Sequence, residues 1–323
     1  MTTIDASTLG TLTEIGRGGQ GKLYLAPNLV IGSDKGPLVY KKYSAKIRAE
    51  SGQVIGHSLP GLIDYPRSLS DADQVKLMRW SVWPKALVVE NGNALGLAMK
   101  LIPPTFEFMV NLSCGPSPCL YSADFLFGSV DSQKSVGAPT PDTMEKALFV
   151  VQLMLAMKHF HTNDLVIGDF SPRNIVVSNP EKVPASTKGG RFHPKFLDVD
   201  SFRLAGESAP IAQPDTPLWF APEKQITRDE LKRMIKGGKT PAETAHLRAR
   251  LAIQNKASDV FKFGLFVLRL FDGTDDAMSL YHSTRSEATL KKLFGTKRSQ
   301  LLLSTISENP AARPTFDEIM RRW

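Results

Sequence analysis

Apolar and polar residues alternate through Leu12-Thr-Glu-Ile, break at a cluster of glycines, Gly16, Gly18, Gly19 and Gly21, and alternate again in Lys22-Leu-Tyr-Leu-Ala26. A period of two on both sides of a glycine cluster predicts strand, loop, strand. A second β-prone run, Gly36–Ser44, carries two lysines. Alternation puts Val39 and Lys41 on one face and Tyr40 and Lys42 on the other, and Lys41 is read as the inward-facing lysine. Two further runs, Ala86–Glu90 and Ala94–Ile102, flank Asn91-Gly92-Asn93, a hairpin signal. Pro103-Pro104 then stop the sheet. Between Ser44 and Ser81, Gly52, Gly56, Pro60 and Pro66 interrupt regular patterning, and Ser70–Met78 is the best helix candidate. The first third reads as a small twisted antiparallel sheet with one helix.

Residues 105–141 read as irregular, rich in Gly, Ser and Pro, and end in the helix-start signal Thr140-Pro-Asp-Thr-Met-Glu145. Ala147, Leu148, Val151, Met154, Leu155 and Lys158 then fall on helical spacing within a stretch apolar enough for a buried helix. That helix feeds into Val166-Ile-Gly-Asp169-Phe-Ser-Pro-Arg173-Asn174 and the β-branched run Ile175-Val-Val177. A polar, basic loop covers Asn179–Pro194, and Lys195–Phe202 reads as a short strand in which Asp198 ends the apolar run. Two basic helical patterns follow at 228–239 and 240–253.

Composition adds bounds. With 323 residues the chain can bury one large core or two moderate ones, and its net charge of +8 permits anionic partners without specifying one. No stretch approaches the ~20 apolar residues of a membrane span, and no basic region precedes an apolar run at the start, so a cytoplasmic protein is expected. Cys114 and Cys119 cannot complete a four-ligand zinc site and are expected as free thiols.

The chemistry concentrates in few places. An Asp followed five residues later by an Asn, on one loop, suits a site where Asp169 orients a hydroxyl and Asn174 holds a metal ion. Glycines allow a backbone to fold closely over phosphates. Asp198, an acid at a strand end, supplies the hard oxygen that a magnesium nucleotide needs. A dinucleotide fingerprint would require a helix directly after the glycines, where Lys22–Ala26 reads as a strand.

In this order, glycine cluster, strand lysine, D-x-x-x-x-N and strand-end Asp resemble the motif set of eukaryotic-type protein kinases. Asp215-Thr216-Pro217 through Ala221-Pro222-Glu223 resembles the substrate-facing loop and Ala-Pro-Glu motif of Ser/Thr kinases. Ser258-Asp259-Val260 resembles the helix whose Asp braces the catalytic loop, and Arg313-Pro314 the closing Arg-Pro motif. The pattern looks most like a divergent bacterial branch of the Ser/Thr kinase family.

The resemblance implies an α+β, bilobal fold in a single domain over 1–323: a small antiparallel β-sheet lobe to about Leu101, a larger, mainly helical lobe over 102–323, and a basic helical insertion at about 225–256. It implies ATP and Mg²⁺, with Mn²⁺ as a substitute, bound between the lobes, and a protein hydroxyl as substrate, Ser or Thr before Tyr. Gly16, Gly18, Gly19 and Gly21 cover the phosphates, Lys41 pairs with them, and Val39, Met99 and Leu101 contact the nucleotide. Asp169 is the base, Thr216 belongs with it, and Asn174 and Asp198 hold metal. Glu223 and Arg313 form a buried ion pair. The 228–253 insertion offers a docking surface; neither membrane nor nucleic acid is implied.

Four positions depart from the family. Ile167-Gly168 replace His-Arg before the base. Ser171 stands where a Lys is usual, with Arg173 as the substitute cation. Val199-Asp200 replace Phe-Gly. The Glu that should pair with Lys41 is missing, and Asp73 is taken as its replacement, with Asp71 and Glu50 behind it. These departures keep open a second class, a pseudokinase that binds nucleotide or a partner without transfer. A small-molecule kinase of the aminoglycoside type fits less well, because such folds lack the Ala-Pro-Glu segment.

Overall fold

The computed structural model describes residues 3–32, 36–187, 189–207, 209–211, 216–252, 254–272 and 284–323. It is a mixed α+β protein, a six-stranded mixed sheet followed by a largely helical region. The chain divides into two compact units. One holds the residues up to Pro103 and a returning stretch from Phe196; the other holds Pro104–Lys195 and the chain from Thr216 onward.

The first unit contains β1 (Thr3–Asp5), β2 (Thr13–Gly18), β3 (Gly21–Ala26), β4 (Leu38–Tyr43), α1 (Ala45–Asp64), α2 (Asp71–Trp80), β5 (Pro84–Glu90) and β6 (Asn93–Lys100). The strand order is β1-β5-β6-β4-β3-β2. β1 runs parallel to β5, so the sheet is mixed rather than antiparallel. A three-residue strand is too short for alternation to reveal it. Asn91 and Gly92 both take positive φ, 50° and 76°, the requirement of a tight turn between β5 and β6.

Two helices stand where the sequence suggested one. α1 spans a stretch containing Gly52, Gly56, Pro60 and Gly61, each unfavourable inside a helix. Burial of Ile55, Leu59, Leu62 and Ile63 outweighs them, at roughly 1.5–3 kcal/mol per side chain. Ser44 starts the helix by accepting a hydrogen bond from the Ile47 N–H.

The returning stretch belongs with this unit by packing. Phe202 meets Trp83 and Phe196 edge to face, and the Val82 N–H donates to the Phe196 carbonyl at 2.9 Å. The strand expected over Lys195–Phe202 is limited to Pro194–Phe196. Asp198 then adopts a left-handed conformation, φ 49°, and Val199–Ser201 coil into a 3₁₀ turn.

The second unit opens with the hairpin of β7 (Glu107–Leu112) and β8 (Gly115–Leu120), in a segment expected to be irregular. Pro116 and Pro118 hid the second strand; both strands of a lone hairpin are edges, where proline is tolerated. Helix α3 (Val130–Ser135) also lies in that segment. α4 (Thr143–Thr162) starts on a capping box between Asp142 and Glu145. Phe149, Val150, Leu153, Met154, Met157 and Phe160 are buried, whereas Leu148 is 41 % exposed, so the buried face is rotated from the expected one.

Further along come α5 (Pro222–Lys236), α6 (Ala245–Ala252), α7 (Lys256–Asp272), α8 (Thr284–Ser304) and α9 (Phe316–Arg322). α7 is buried from Ser258 to Asp272 and forms the core of this unit. The expected insertion corresponds to α5 and α6, but α5 grows directly out of Ala221-Pro222-Glu223, with Pro222 at its first turn. Lys224 Nζ hydrogen-bonds the Leu251 carbonyl and so ties the start of α5 to the end of α6. Asp215 and Ile253 lie outside the described residues. Among the described residues, no helix is long and apolar enough to cross a membrane.

Candidate functional site

In the first unit the chemistry centres on Lys41. It lies in β4, is 5 % exposed, and its Nζ donates to Gln20 Oε1 at 2.7 Å, Asp198 Oδ1 at 3.0 Å and Asp200 Oδ1 at 2.9 Å. Asp200 also accepts from the Tyr43 hydroxyl at 2.9 Å. Burial works against the ammonium charge, but Asp200 and Asp198 outweigh it and hold Lys41 above the usual lysine range. Burial and the neighbouring Asp200 carboxylate push the Tyr43 phenol well above its usual range, so it stays a donor. Lys42 is exposed on the opposite face.

Gln20 sits at the turn between β2 and β3, beside Gly19. Its carbonyl accepts from Ser44 N–H at 2.9 Å while its side chain reaches Lys41. The surrounding glycines are not equivalent. A Cβ on Gly21 would stand 2.0 Å from the Lys42 carbonyl oxygen, so packing dictates that glycine. Gly18 and Gly19 have open space where a Cβ would go, and Gly16 would meet only Leu23 at 3.8 Å. The fold therefore does not demand glycine at 18 or 19. Val39 is buried directly opposite Met99 in the β4–β6 register, with Leu101 two residues further on.

Asp73 does not reach Lys41. It accepts from Ser70 Oγ at 2.8 Å and pairs with Lys76 at 2.9 Å, both within the first turns of α2, where an acid suits the helix dipole. Glu50 lies 4.0 Å from Lys46 on the exposed side of α1. The partner that the sequence reading sought on a helix is Asp200, two residues beyond Asp198. Gln20, Tyr43 and Asp200 were all missed. The signal for one of them was periodicity: Tyr43 follows Lys41 by two residues along a strand and shares its face.

The second unit gathers Asp169, Asn174 and Thr216. Asn174 Nδ2 donates to Asp169 Oδ2 at 2.9 Å and to the Asp169 carbonyl at 3.0 Å, and Thr216 Oγ1 donates to Asp169 Oδ1 at 2.9 Å. With Nδ2 committed, Asn174 Oδ1 is the atom left for a cation. The loop is braced from α7. Asp259 accepts the Ile167 and Gly168 N–H groups at 2.8 and 2.9 Å and contacts His161 Nε2 at 3.1 Å. Buried Lys262 donates to the Gly168 carbonyl at 2.6 Å and to Gln254 at 2.7 Å. Gly168 has φ 72°, a conformation that a residue with a Cβ would hold with strain.

Arg173 turns outward: it is 80 % exposed and its Nε lies 3.6 Å from Asp124. Glu223 and Arg313 form a two-point ion pair, Nη1 to Oε1 at 2.9 Å and Nη2 to Oε2 at 2.7 Å, with the guanidinium 4.8 Å from the Phe261 ring centre. Cys114 and Cys119 are free. Among the described residues, no cluster of three or more His, Cys, Asp or Glu side chains is arranged to hold a metal by itself.

No protein-family model matches the chain, and no curated protein matches it either.

Proposed function

We propose that the chain is a protein kinase with the family's two-lobed fold, transferring the γ-phosphoryl group of magnesium ATP to a protein hydroxyl, Ser or Thr before Tyr. The observation that carries this is the hydroxyl already bound to Asp169. Thr216 Oγ1 donates to one carboxylate oxygen while Asn174 fixes the other. An acid held in that way is prepared to receive a second hydroxyl of the same chemistry.

In this reading Lys41 and the turn Gly18-Gly19 bind the phosphates, and Val39, Met99 and Leu101 contact the base. Incoming phosphates displace Gln20 from Lys41, while Asp200 and Tyr43 keep the ammonium in place. Asp198, 41 % exposed in the first unit, and Asn174 Oδ1 in the second are each a hard oxygen donor of the kind that Mg²⁺ or Mn²⁺ takes alongside phosphates and water. The cation supplies charge neutralisation at the phosphates. Asp169 orients the substrate hydroxyl and takes its proton as oxygen bonds to the γ-phosphorus and the bond to the β-phosphate oxygen breaks.

Incubation with γ-labelled ATP, Mg²⁺ and a generic protein substrate tests the reading. Asp169→Ala is expected to lower transfer by ~10²-fold or more; a loss of less than about twofold removes Asp169 from this role. A second reading, nucleotide or partner binding without transfer, is favoured by Arg173, whose charge is directed to Asp124 and so away from Asp169. ATP binding without transfer by the native protein supports it.

The helices α5 and α6 carry exposed basic residues with the exposed apolar Ile226 and Ile235. We propose them as a substrate-docking surface; unchanged phosphorylation and partner capture after deletion of 228–253 removes that role.

A further inference from the structure

We propose that the corner of the first unit where β4 turns into α1 is a binding site for a phosphate monoester. It lies on the Lys42 side of the strand, not the Lys41 side, and does not depend on the kinase reading.

The strand register lines up three cations. Arg17 in β2 stands opposite Lys22 in β3, and Lys22 stands opposite Lys42 in β4. Residues directly opposite across neighbouring strands share a face, and like charges so placed destabilise the sheet. Glu14 offsets two of them, at 2.7 Å from Arg17 and 2.9 Å from Lys22. Among the described residues, Lys42 Nζ has no hydrogen bond or ion pair. α1 adds a fourth cation: Arg48 projects from its first turns, and Arg48 Nε is buried without a hydrogen-bond partner.

These four side chains line one concavity of about 450 Å³, together with Tyr24 and the Ser44–Ala45 start of α1. Four cations stand against Glu14 and against Glu90, which lines a cavity with Arg48, and leave an excess of two positive charges, placed at the positive end of a 20-residue helix. A phosphate monoester, close to a dianion at neutral pH with three strong acceptor oxygens, matches that charge and the forked donors of two arginines. It can come from solution as a free phosphate or from a phosphorylated side chain of a peptide.

Calorimetric titration with inorganic phosphate, with a phosphoserine peptide and with its unphosphorylated form separates the sources. Equal affinity for the first two identifies free phosphate as the ligand; about tenfold tighter binding of the phosphopeptide identifies the side chain. In the pair of substitutions Lys42→Gln and Arg48→Gln, both at partly exposed positions, either affinity is expected to fall about tenfold or more, with the circular dichroism spectrum unchanged. Binding that survives this pair, as phosphate seated at Lys41 would, overturns the proposal. So does affinity for the unphosphorylated peptide equal to that for its phosphorylated form, combined with no binding of inorganic phosphate.

Discussion

Lys41 and Asp200 are bonded at 2.9 Å with both side chains nearly sealed from solvent, whereas Asp198, 3.0 Å from the same ammonium, is 41 % exposed. The two carboxylates therefore have different consequences when removed. Asp200→Asn leaves a buried cation short of charge and is expected to cost ~3–5 kcal/mol in urea unfolding. Asp198→Asn, discounted for solvent screening, is expected to cost about 1 kcal/mol or less. Tyr43→Phe, which removes one hydrogen bond to a charged group, falls between them at about 1.5–3 kcal/mol. Equal losses for the two acids would contradict the division of roles.

Gly21→Ala must force a Cβ against the Lys42 carbonyl oxygen, 2.0 Å away, and is expected to destabilise the protein by about 1–3 kcal/mol or more. Gly18→Ala and Gly19→Ala meet open space and are expected to leave the melting temperature nearly unchanged. In the proposed kinase the latter two should instead weaken ATP binding, so stability and nucleotide affinity separate cleanly across one turn.

Thr216→Val deletes the hydroxyl that donates to Asp169. The proposed reaction is expected to slow by about tenfold or more, because the base loses one of the two groups that orient it. Thr216→Ser keeps the donor and should retain most of the rate. Steady-state transfer of labelled phosphate compares the two.

Burial lowers the Lys195 ammonium to about 8, from an ordinary 10.5, while its Nζ lies 5.9 Å from the Phe106 ring centre. Between those two values the unfolded chain binds more protons than the folded one, so stability rises with pH across that window. Below it the penalty is constant. Lys195→Met is thus expected to stabilise the protein by about 2 kcal/mol at pH 7 and to lose that advantage as the pH is raised toward the unfolded value. Guanidinium melts at the two ends of the range measure it.

Local signals carried part of this molecule in the sequence. The Asn91-Gly92 turn, the Asp142–Glu145 cap and the loop from Asp169 to Asn174 are each written in a few consecutive residues. Helix α1 was hidden because its glycines and Pro60 argue against a helix, and only tertiary burial of Ile55, Leu59 and Leu62 reverses that. β1 and β8 were too short or too proline-rich for alternation to register. The partners of Lys41 were out of reach for a different reason: Asp198 and Asp200 lie 157 and 159 positions away, and no local pattern encodes such a pairing.

That separation bears on how the chain is made. A ribosome adding ~5–20 residues per second delivers Lys41 roughly 8–30 s before the acids that neutralise it. During that interval the nascent β4 carries an ammonium group that cannot be buried without its counter-ions, so the first unit cannot close as its strands emerge. Its maturation waits for Phe196–Ile211, and a truncation between Lys100 and Asp198 would release an N-terminal fragment containing every strand of the sheet but unable to seal it.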